Sequence, residues 1–366
     1  MTEMILLVAS AVQRLHGLLE VVWKVEKRGK KDGEMPSNTT VVAVSLVTAG
    51  LVFVYYRLRC YFAGGVCKNN VSMKGKTVII TGAILGDPGA VTNTGLGKEV
   101  AVELGKRQAR VILACRSLEK GKQAAREICS KVKDAILVVK HLDLSSLASV
   151  RQFAYEILKE EKRLDVLINN AGVFMDPPMI KTQDGFEIHF GVNHLGHFLL
   201  TKLLLELLEK SSPSRVVVVS SALAKRARID FDNIYAEKGH PGRQDHMKGP
   251  YAQSKLANLL FAHELSKRLP EGVTVNSLSP GICWTELHRN SSLSLMKKLL
   301  LYPIAFIVAK RPREGAQTII YCATEKKLDQ VSGAVFTDCD MKEFPPHTKD
   351  DGVAKKLWEL SETLTQ

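Results

Sequence analysis

A chain of 366 residues with 45% apolar and 24% charged residues can bury a sizeable core, which excludes a disordered or fibrous protein. Its net charge of +13 suits nucleic acid, an anionic membrane or a phosphorylated cofactor alike; no basic run interleaves with aromatics, only 6% of the chain, so nucleic acid is set aside. Seven cysteines (Cys60, Cys67, Cys115, Cys129, Cys283, Cys322 and Cys339), odd in number and irregularly spaced, read as reduced thiols of a cytosol-facing protein.

Residues 1–34 form an extension in which ILLVASAVQRLHGLLEVVW has helical apolar spacing and charge-rich KVEKRGKKDGE follows. It reads as an amphipathic surface helix or a weak targeting segment, the latter opposed by Glu3, Glu20 and Glu26. TVVAVSLVTAGLVFVYY, residues 40–56, is uncharged and about long enough to cross a bilayer. Arg57 and Arg59 close it, and Tyr55, Tyr56 and Tyr61 stand at the expected interface, so an anchor is assigned to 40–59. A cleaved signal peptide fits less well, because the segment begins far from Met1. Basic residues flank both sides, leaving its orientation open.

From Lys74 onward short β-branched runs alternate with amphipathic stretches. KTVIIT (76–81), ARVILAC (109–115), AILVVKH (135–141), LDVLIN (164–169), RVVVVSS (215–221) and VTVNSLS (273–279) read as strands buried on both faces. Segments such as SLASVRQFAYEILKEEKR and FLLTKLLLELLEK between them read as helices. The alternation predicts an α/β fold: one doubly wound parallel sheet with helices on both faces, over 74–345, with 346–366 as a C-terminal helix or tail.

The first βα turn carries TGAILGDPGAVTNTGLGKE, residues 81–99. Glycine there permits a sharp turn and lets the backbone approach a pyrophosphate at a helix N-terminus. A phosphate loop of the other common type fails, since Gly97-Lys98 is followed by Glu99. Gly82, Asn93, Thr94, Gly95, Leu96 and Gly97 are assigned to the cofactor, with Ile84 to Thr92 as a bulge within the turn. After the second strand stands Arg116, where an acidic residue would select NAD; its guanidinium suits a 2′-phosphate, although a solvated surface arginine reads the same way. Asp143 can accept from an adenine amino group, and Asn170, Ala171 and Gly172 of NNAG let the chain pass close to the cofactor.

GPYAQSKLAN and RVVVVSSALA carry the chemistry. Tyr251 and Lys255 are four apart and share a helix face. A phenol of pKa about 10 exchanges protons poorly at neutral pH unless a cation stabilises its phenolate, and Lys255 supplies one. Ser221 can polarise a substrate carbonyl, and Asn193 could hold a water that relays protons to Lys255. Each residue alone has an ordinary explanation; a Tyr–Lys pair at this spacing is common on helices.

Taken together, TGA with GLG, NNAG, VNHLGHF, the serine pair, YAQSK and SPG resemble the short-chain dehydrogenase/reductases over about residues 74–340. Within that family GKTVIITGA, LDVLINNAGVF, TQDGFEIHFGVNHLGHFLLT, YAQSKLANLLF, REGAQTIIY and KLWELSE are similar to the membrane-anchored retinol dehydrogenases of types 11 to 14. The resemblance implies a single Rossmann domain, NADP(H), and interconversion of an alcohol with an aldehyde or ketone. It places proton transfer on Tyr251, its partner on Lys255, the carbonyl contact on Ser221 and the relay on Asn193, with Pro280, Gly281 and Thr285 beside the nicotinamide. The expected substrate is a lipophilic aldehyde or alcohol such as retinal; steroids, lipid aldehydes and xenobiotic carbonyls are the alternatives. The expected location is the endoplasmic reticulum membrane with a cytosolic catalytic domain, or else a mitochondrial membrane. A homodimer is entertained.

Two departures stand out. Ser279 replaces a histidine frequent in members, outside the tetrad. The nine-residue bulge Ile84 to Thr92 is the serious one, since it leaves open a silent, membrane-tethered binding protein with a spoiled cofactor loop. His189, His194 and His197 offer a conceivable metal site, but no carboxylate or cysteine in the pattern completes it, so no metal is expected. SLMKKLLLYPIAFIVAKRP, residues 294–312, is read either as a lid over an apolar pocket or as a buried core helix.

Overall fold

The computed structural model describes residues 38–83, 91–92, 95–174, 180–235, 249–283 and 306–366. The chain divides into two compact units, Met1–Phe62 and Ala63–Gln366. The extension 1–34, the bulge residues 84–90, Asn93, Thr94, Thr285 and most of 294–312 lie outside the described residues.

Helix α1, Asn38–Ala63, contains a 19-residue stretch, Ser45–Ala63, of mean hydropathy 1.2, long and apolar enough to cross a membrane by length and composition. Leu46, Val52, Phe53 and Tyr56 of that stretch are exposed. The apolar stretch runs past the end of the expected anchor, 40–59, to Ala63 and takes in Arg57 and Arg59 near its end.

The second unit is built on an eight-stranded sheet. Its strands are β1 (Thr77–Thr81), β3 (Arg110–Cys115), β4 (Ile136–His141), β5 (Val166–Asn169), β7 (Ser214–Val219), β8 (Val273–Leu278), β9 (Val335–Thr337) and β10 (Asp340–Met341), in spatial order β10-β9-β8-β7-β5-β1-β3-β4. All neighbours pair in parallel except β9 with β10. The order reverses between β1 and β5, and ligands of such sheets bind beyond the strand ends at this switch point. β2 (Val91–Thr92) and β6 (Val173–Phe174) form a separate antiparallel pair.

Side-chain alternation along β1 builds the two core layers. Val78 and Ile80 pack with Val100 and Leu104 of α2 (Leu96–Lys106) and with Ile319 and Ile320 of α7 (Pro312–Thr324). Ile79 packs on the opposite face, with Phe153 of α4 (Leu147–Glu160), Leu204 of α5 (Gly196–Lys210) and Phe261 of α6 (Pro250–Ser266). Helix α3 (Leu118–Lys131) lies between β3 and β4, with Ile128 in the first layer. The C-terminal helix α8 (Asp351–Leu364) packs on α6 in the same unit, where Trp358 stacks on Phe261.

All six strands expected from apolar runs are present. AILVVKH was expected to be buried on both faces; β4 is instead an edge strand with exposed ends and a half-buried middle. The hairpin β9–β10 was not anticipated. Its two-residue turn, Asp338-Cys339, holds both residues left-handed (φ 57 and 58) without the glycine or asparagine that advertises such turns.

Candidate active site

The site is assembled where β1, β5 and β7 end. Helix α2 starts at Leu96, with Gly95 at its N-cap in the left-handed region (φ 100) and no side-chain cap. Its first N–H groups therefore lack a capping oxygen from that residue, the arrangement an anionic ligand completes. Gly97 is held by close approach: a Cβ there would lie 2.8 Å from Asn170 Nδ2 and 2.9 Å from both Ala83 Cα and Gly82 O. Gly82 sits beneath Ala171, whose Cα would be 2.8 Å from an added Cβ. The glycine turn and NNAG thus pack against each other, with no room for a side chain at Gly82 or Gly97. These residues fit a dinucleotide.

Thr81, the last residue of β1, organises the turn from below. Its hydroxyl accepts from the Asn170 and Ala171 backbone N–H groups at 3.0 and 2.9 Å, while Asn170 Nδ2 donates to Thr81 O at 2.8 Å. Thr81 Oγ1 also lies 2.8 Å from His197 Nε2. His197 Nδ1 must carry the proton, because its partner at 3.0 Å is the Asn193 carbonyl, which only accepts. Nε2 then accepts from the threonine hydroxyl. Burial pulls His197 down to about 4, against a smaller raising effect of the Asn193 carbonyl and with a lowering one from Lys255, so the imidazole is neutral.

Arg116 is exposed just beyond β3, and Asp143 is half-buried beyond β4. Asp143 Oδ1 accepts from the Ser145 N–H and hydroxyl at 2.9 and 2.6 Å. At the other side of the site Pro280 and Gly281 follow β8, with Gly281 left-handed (φ 87).

Tyr251, Lys255 and Asn258 lie on one face of α6. Lys255 is fully buried and its ammonium donates to Val219 O at 3.1 Å; Asn258 Nδ2 reaches the same carbonyl at 3.2 Å. Ser220 Oγ donates to Lys255 O at 2.6 Å, which locks the helix to the end of β7. The Lys255 ammonium lies 5.8 Å from the centre of the Tyr251 ring, and a Cβ at Gly172 would be 3.1 Å from it. Burial pushes Tyr251 up to about 12, against a lowering effect of the neighbouring Ser221 side chain, and pushes Lys255 down to about 7. Phe174 meets the tyrosine edge-on at 4.8 Å.

Asn193 falls in a π-helical turn, Phe190–Leu195, which leads into α5. Such turns are frequent at functional sites. Its side-chain amide donates to Val173 O at 3.1 Å and Ser254 Oγ at 2.9 Å and accepts from Val173 N at 2.7 Å. Both amide protons are committed, so the side chain clamps β6 to α6 and has no donor left for a water.

The sequence reading left two residues out. Glu187 is buried and accepts from His189 Nδ1 at 2.5 Å, so a carboxylate does stand beside that histidine. His194 instead pairs with Ser361 Oγ at 2.8 Å, and burial lowers it to about 3. Among the described residues no group of three or more metal-ligating side chains converges. Thr81 was passed over because a threonine closing a strand looks like any other; only its four partners reveal it.

A parallel sheet with a switch point at a glycine turn, with a half-buried serine and tyrosine and a buried lysine beside it, defines a dinucleotide-dependent oxidoreductase site. The chain belongs to the short-chain dehydrogenase family, whose model matches residues 76–295. It is similar to retinol dehydrogenase 12 of Homo sapiens, 46% identical over 88% of this chain and 97% of that one. It is also similar to retinol dehydrogenase 14 of Mus musculus, 48% identical over 80% of this chain and 86% of that one. Among solved structures, a Pseudomonas aeruginosa RhlG/NADP active-site complex matches with a TM-score of 0.55 and 25% identity, over 72% of this chain and 95% of that chain.

Proposed function

We propose that this protein is an NADP(H)-dependent oxidoreductase that interconverts retinol and retinal at a membrane, in the direction of retinal reduction where NADPH prevails. The observation that carries the reading is Lys255, fully buried one helical turn from Tyr251 with its ammonium 5.8 Å from the centre of the phenol ring. Retinol dehydrogenase relatives and the apolar stretch Ser45–Ala63 support a lipophilic substrate reached from a bilayer, with the endoplasmic reticulum as the proposed membrane.

Gly82, Gly95, Leu96 and Gly97 would receive the pyrophosphate, Arg116 the 2′-phosphate and Asp143 the adenine. Asn170, Ala171 and Gly172 would lie along the ribose, and Pro280 and Gly281 beside the nicotinamide. When bound, the nicotinamide supplies or accepts the hydride. Ser221 Oγ and the Tyr251 hydroxyl would form a two-point cradle for a carbonyl oxygen. In the reducing direction Tyr251 delivers its proton to that oxygen as negative charge develops there. The Lys255 cation stabilises the phenolate left behind. Asn193 holds Val173 and Ser254 in place around the pair, and its backbone carbonyl, shared with His197, is the acceptor available to a relay.

The test uses the full chain in detergent micelles with NADPH and all-trans-retinal. NADPH oxidation matched by retinol formation is the expected result. Cofactor binding without turnover of retinal or any other aldehyde would overturn the enzyme reading in favour of a binding protein.

A further inference from the structure

Lys310 and Asp338 take no part in the chemistry above, yet they occupy an unusual position. Lys310 is only 5% exposed and its ammonium is ion-paired with the Asp338 carboxylate. The turn that presents this carboxylate is strained: Asp338 and Cys339 are both left-handed, a conformation L side chains rarely adopt. The Cys339 N–H donates to Thr318 Oγ1 of α7 at 3.3 Å, which helps hold the turn in that shape. Strain of this kind persists only where surrounding structure over-determines it, and it marks places where position matters.

Two chain segments meet the pair from opposite sides. One is the loop after β8. The Lys310 N–H donates to Ile282 O at 2.7 Å, and Cys283 forms a parallel bridge with Lys310. The lysine stem lies against Gly281, where an added Cβ would be 3.0 Å from Cε and 3.2 Å from Nζ. The other is the segment that follows α1 in sequence. At Gly64, itself left-handed (φ 75), a Cβ would come within 2.1 Å of Asp338 Oδ1 and 2.7 Å of Lys310 Nζ. At Gly65 it would fall 1.8 Å from Asp338 O. A side chain at Gly64 would displace the ion pair, and one at Gly281 would press on the lysine stem.

We propose that Lys310–Asp338 is a positioning latch that holds the nicotinamide-side loop, Pro280–Cys283, in register with Gly64–Gly65, the segment through which the chain leaves its apolar helix. The meaning given to Gly281 rests on the NADP(H) reading; the latch itself rests on the contacts. A desolvated charge that loses its partner cannot keep its place, so both segments loosen when either charge is removed. A disturbance at Gly64 reaches residue 281 through the same two side chains. Lys310 and Asp338 touch no reacting atom; they act through Gly281.

Hydrogen exchange on the cofactor-free full chain in detergent micelles reads the latch directly, at the amides of 281–283 and 64–67. Lys310→Met keeps the apolar stem and removes the charge. Asp338→Asn removes the charge while keeping a residue that tolerates the left-handed turn, so its effect cannot be assigned to a collapsed hairpin. Both variants should accelerate exchange in both segments, Lys310→Arg should restore protection, and Gly64→Ala should accelerate exchange at 281–283 as well as locally. Where NADPH binds, its Kd should rise about fivefold in Asp338→Asn, the lower end of ordinary site-to-site couplings, with kcat at saturating NADPH little changed. Exchange at 281–283 within about twofold of wild type in both charge variants would overturn the proposal, as would a Gly64→Ala effect confined to 64–67. A wild-type chain that bound no NADPH would defeat the functional reading and leave the exchange result decisive for the latch.

Discussion

Lys255 stands one helical turn from Tyr251, its ammonium 5.8 Å from the centre of the phenol ring and donating to Val219 O at 3.1 Å. The cation is thus fixed by the strand end and not by the tyrosine, close enough to stabilise a phenolate without consuming it. Tyr251→Phe removes the proton assigned to the carbonyl oxygen in the proposed reaction. Retinal turnover should fall by about 10²- to 10⁴-fold, the usual contribution of a positioned acid. NADPH binding, measured by quenching of protein fluorescence, should stay near wild type. Substantial residual turnover would remove Tyr251 from its role.

The buried lysine predicts a particular dependence of stability on pH. Its folded-state pKa, about 7, lies below the ordinary 10.5 because burial disfavours the charge. Below pH 7 both states are protonated and the full desolvation cost is present. Between about 7 and 10.5 the unfolded chain binds the extra proton, so folding stability rises with pH, by up to ~1.4 kcal/mol per unit. Lys255→Met lacks this term. The wild-type Tm should therefore gain on that of the variant as pH rises from about 6 to 9, a range that keeps clear of Tyr251 titration. Parallel curves would mean that the lysine is not desolvated.

Much of this site is legible in the sequence because its chemistry needs particular residue types at fixed offsets. Tyr251 and Lys255 four apart, and glycines between a strand and a helix, follow from local geometry. The hairpin at Asp338-Cys339 is not legible, since its turn lacks the glycine or asparagine that its backbone favours. Neither is the Thr81–His197 link, whose partners are 116 residues apart and set by packing. The edge position of β4 was missed for a related reason: an apolar run does not state how many neighbours its strand has. The committed amide protons of Asn193 were also out of reach, since Val173 and Ser254 become its neighbours only in the folded chain.

Thr81 supplies the third prediction. Thr81→Val keeps the shape and leaves the Ala171 N–H and His197 Nε2 without their partner, while the Asn170 N–H keeps Ile168 O. At about 1–3 kcal/mol per buried unsatisfied group, the loss should be at least about 2 kcal/mol, read as a lower denaturation midpoint. Thr81→Ser should recover most of it. His194 and His197, held near 3 and 4 by burial, add a separate acid sensitivity. Their unfolded forms bind protons first, so stability should fall as pH drops below about 6.5 and level off near the folded values. A Thr81→Val midpoint equal to wild type would show that the hydroxyl does not organise the turn.

Cofactor choice is tested at Gly97 and Arg116. Gly97→Ala introduces a Cβ within 2.9 Å of two backbone atoms, Ala83 Cα and Gly82 O, which cannot swing aside as a flexible side chain would. The turn must open, and affinity for NADPH and NADH should drop together. Arg116→Asp should act differently, weakening NADPH by about 1.5–3 kcal/mol through loss of a charge-assisted bond while sparing or improving NADH. Equal losses for both cofactors in Arg116→Asp would take the arginine away from the 2′-phosphate.

The inserted stretch Ile84 to Thr92 supplies the last prediction. Its final two residues pair antiparallel with Val173 and Phe174, and Phe174 packs edge-on against Tyr251 at 4.8 Å. The far end of the insertion is therefore stitched to the strand beside Tyr251, while α2 still begins at Leu96 with Gly95 at its cap. Removing nine residues from a loop changes closure entropy little, since each halving of length is worth only about 0.6 kcal/mol. Deleting 84–92 should accordingly leave NADPH affinity within about threefold. It should shift KM or kcat for the aldehyde more strongly, because Phe174 loses its strand partner. Loss of NADPH binding on deletion would mean that the insertion is itself part of the phosphate turn, and a gain of tenfold or more would mean that it obstructs one.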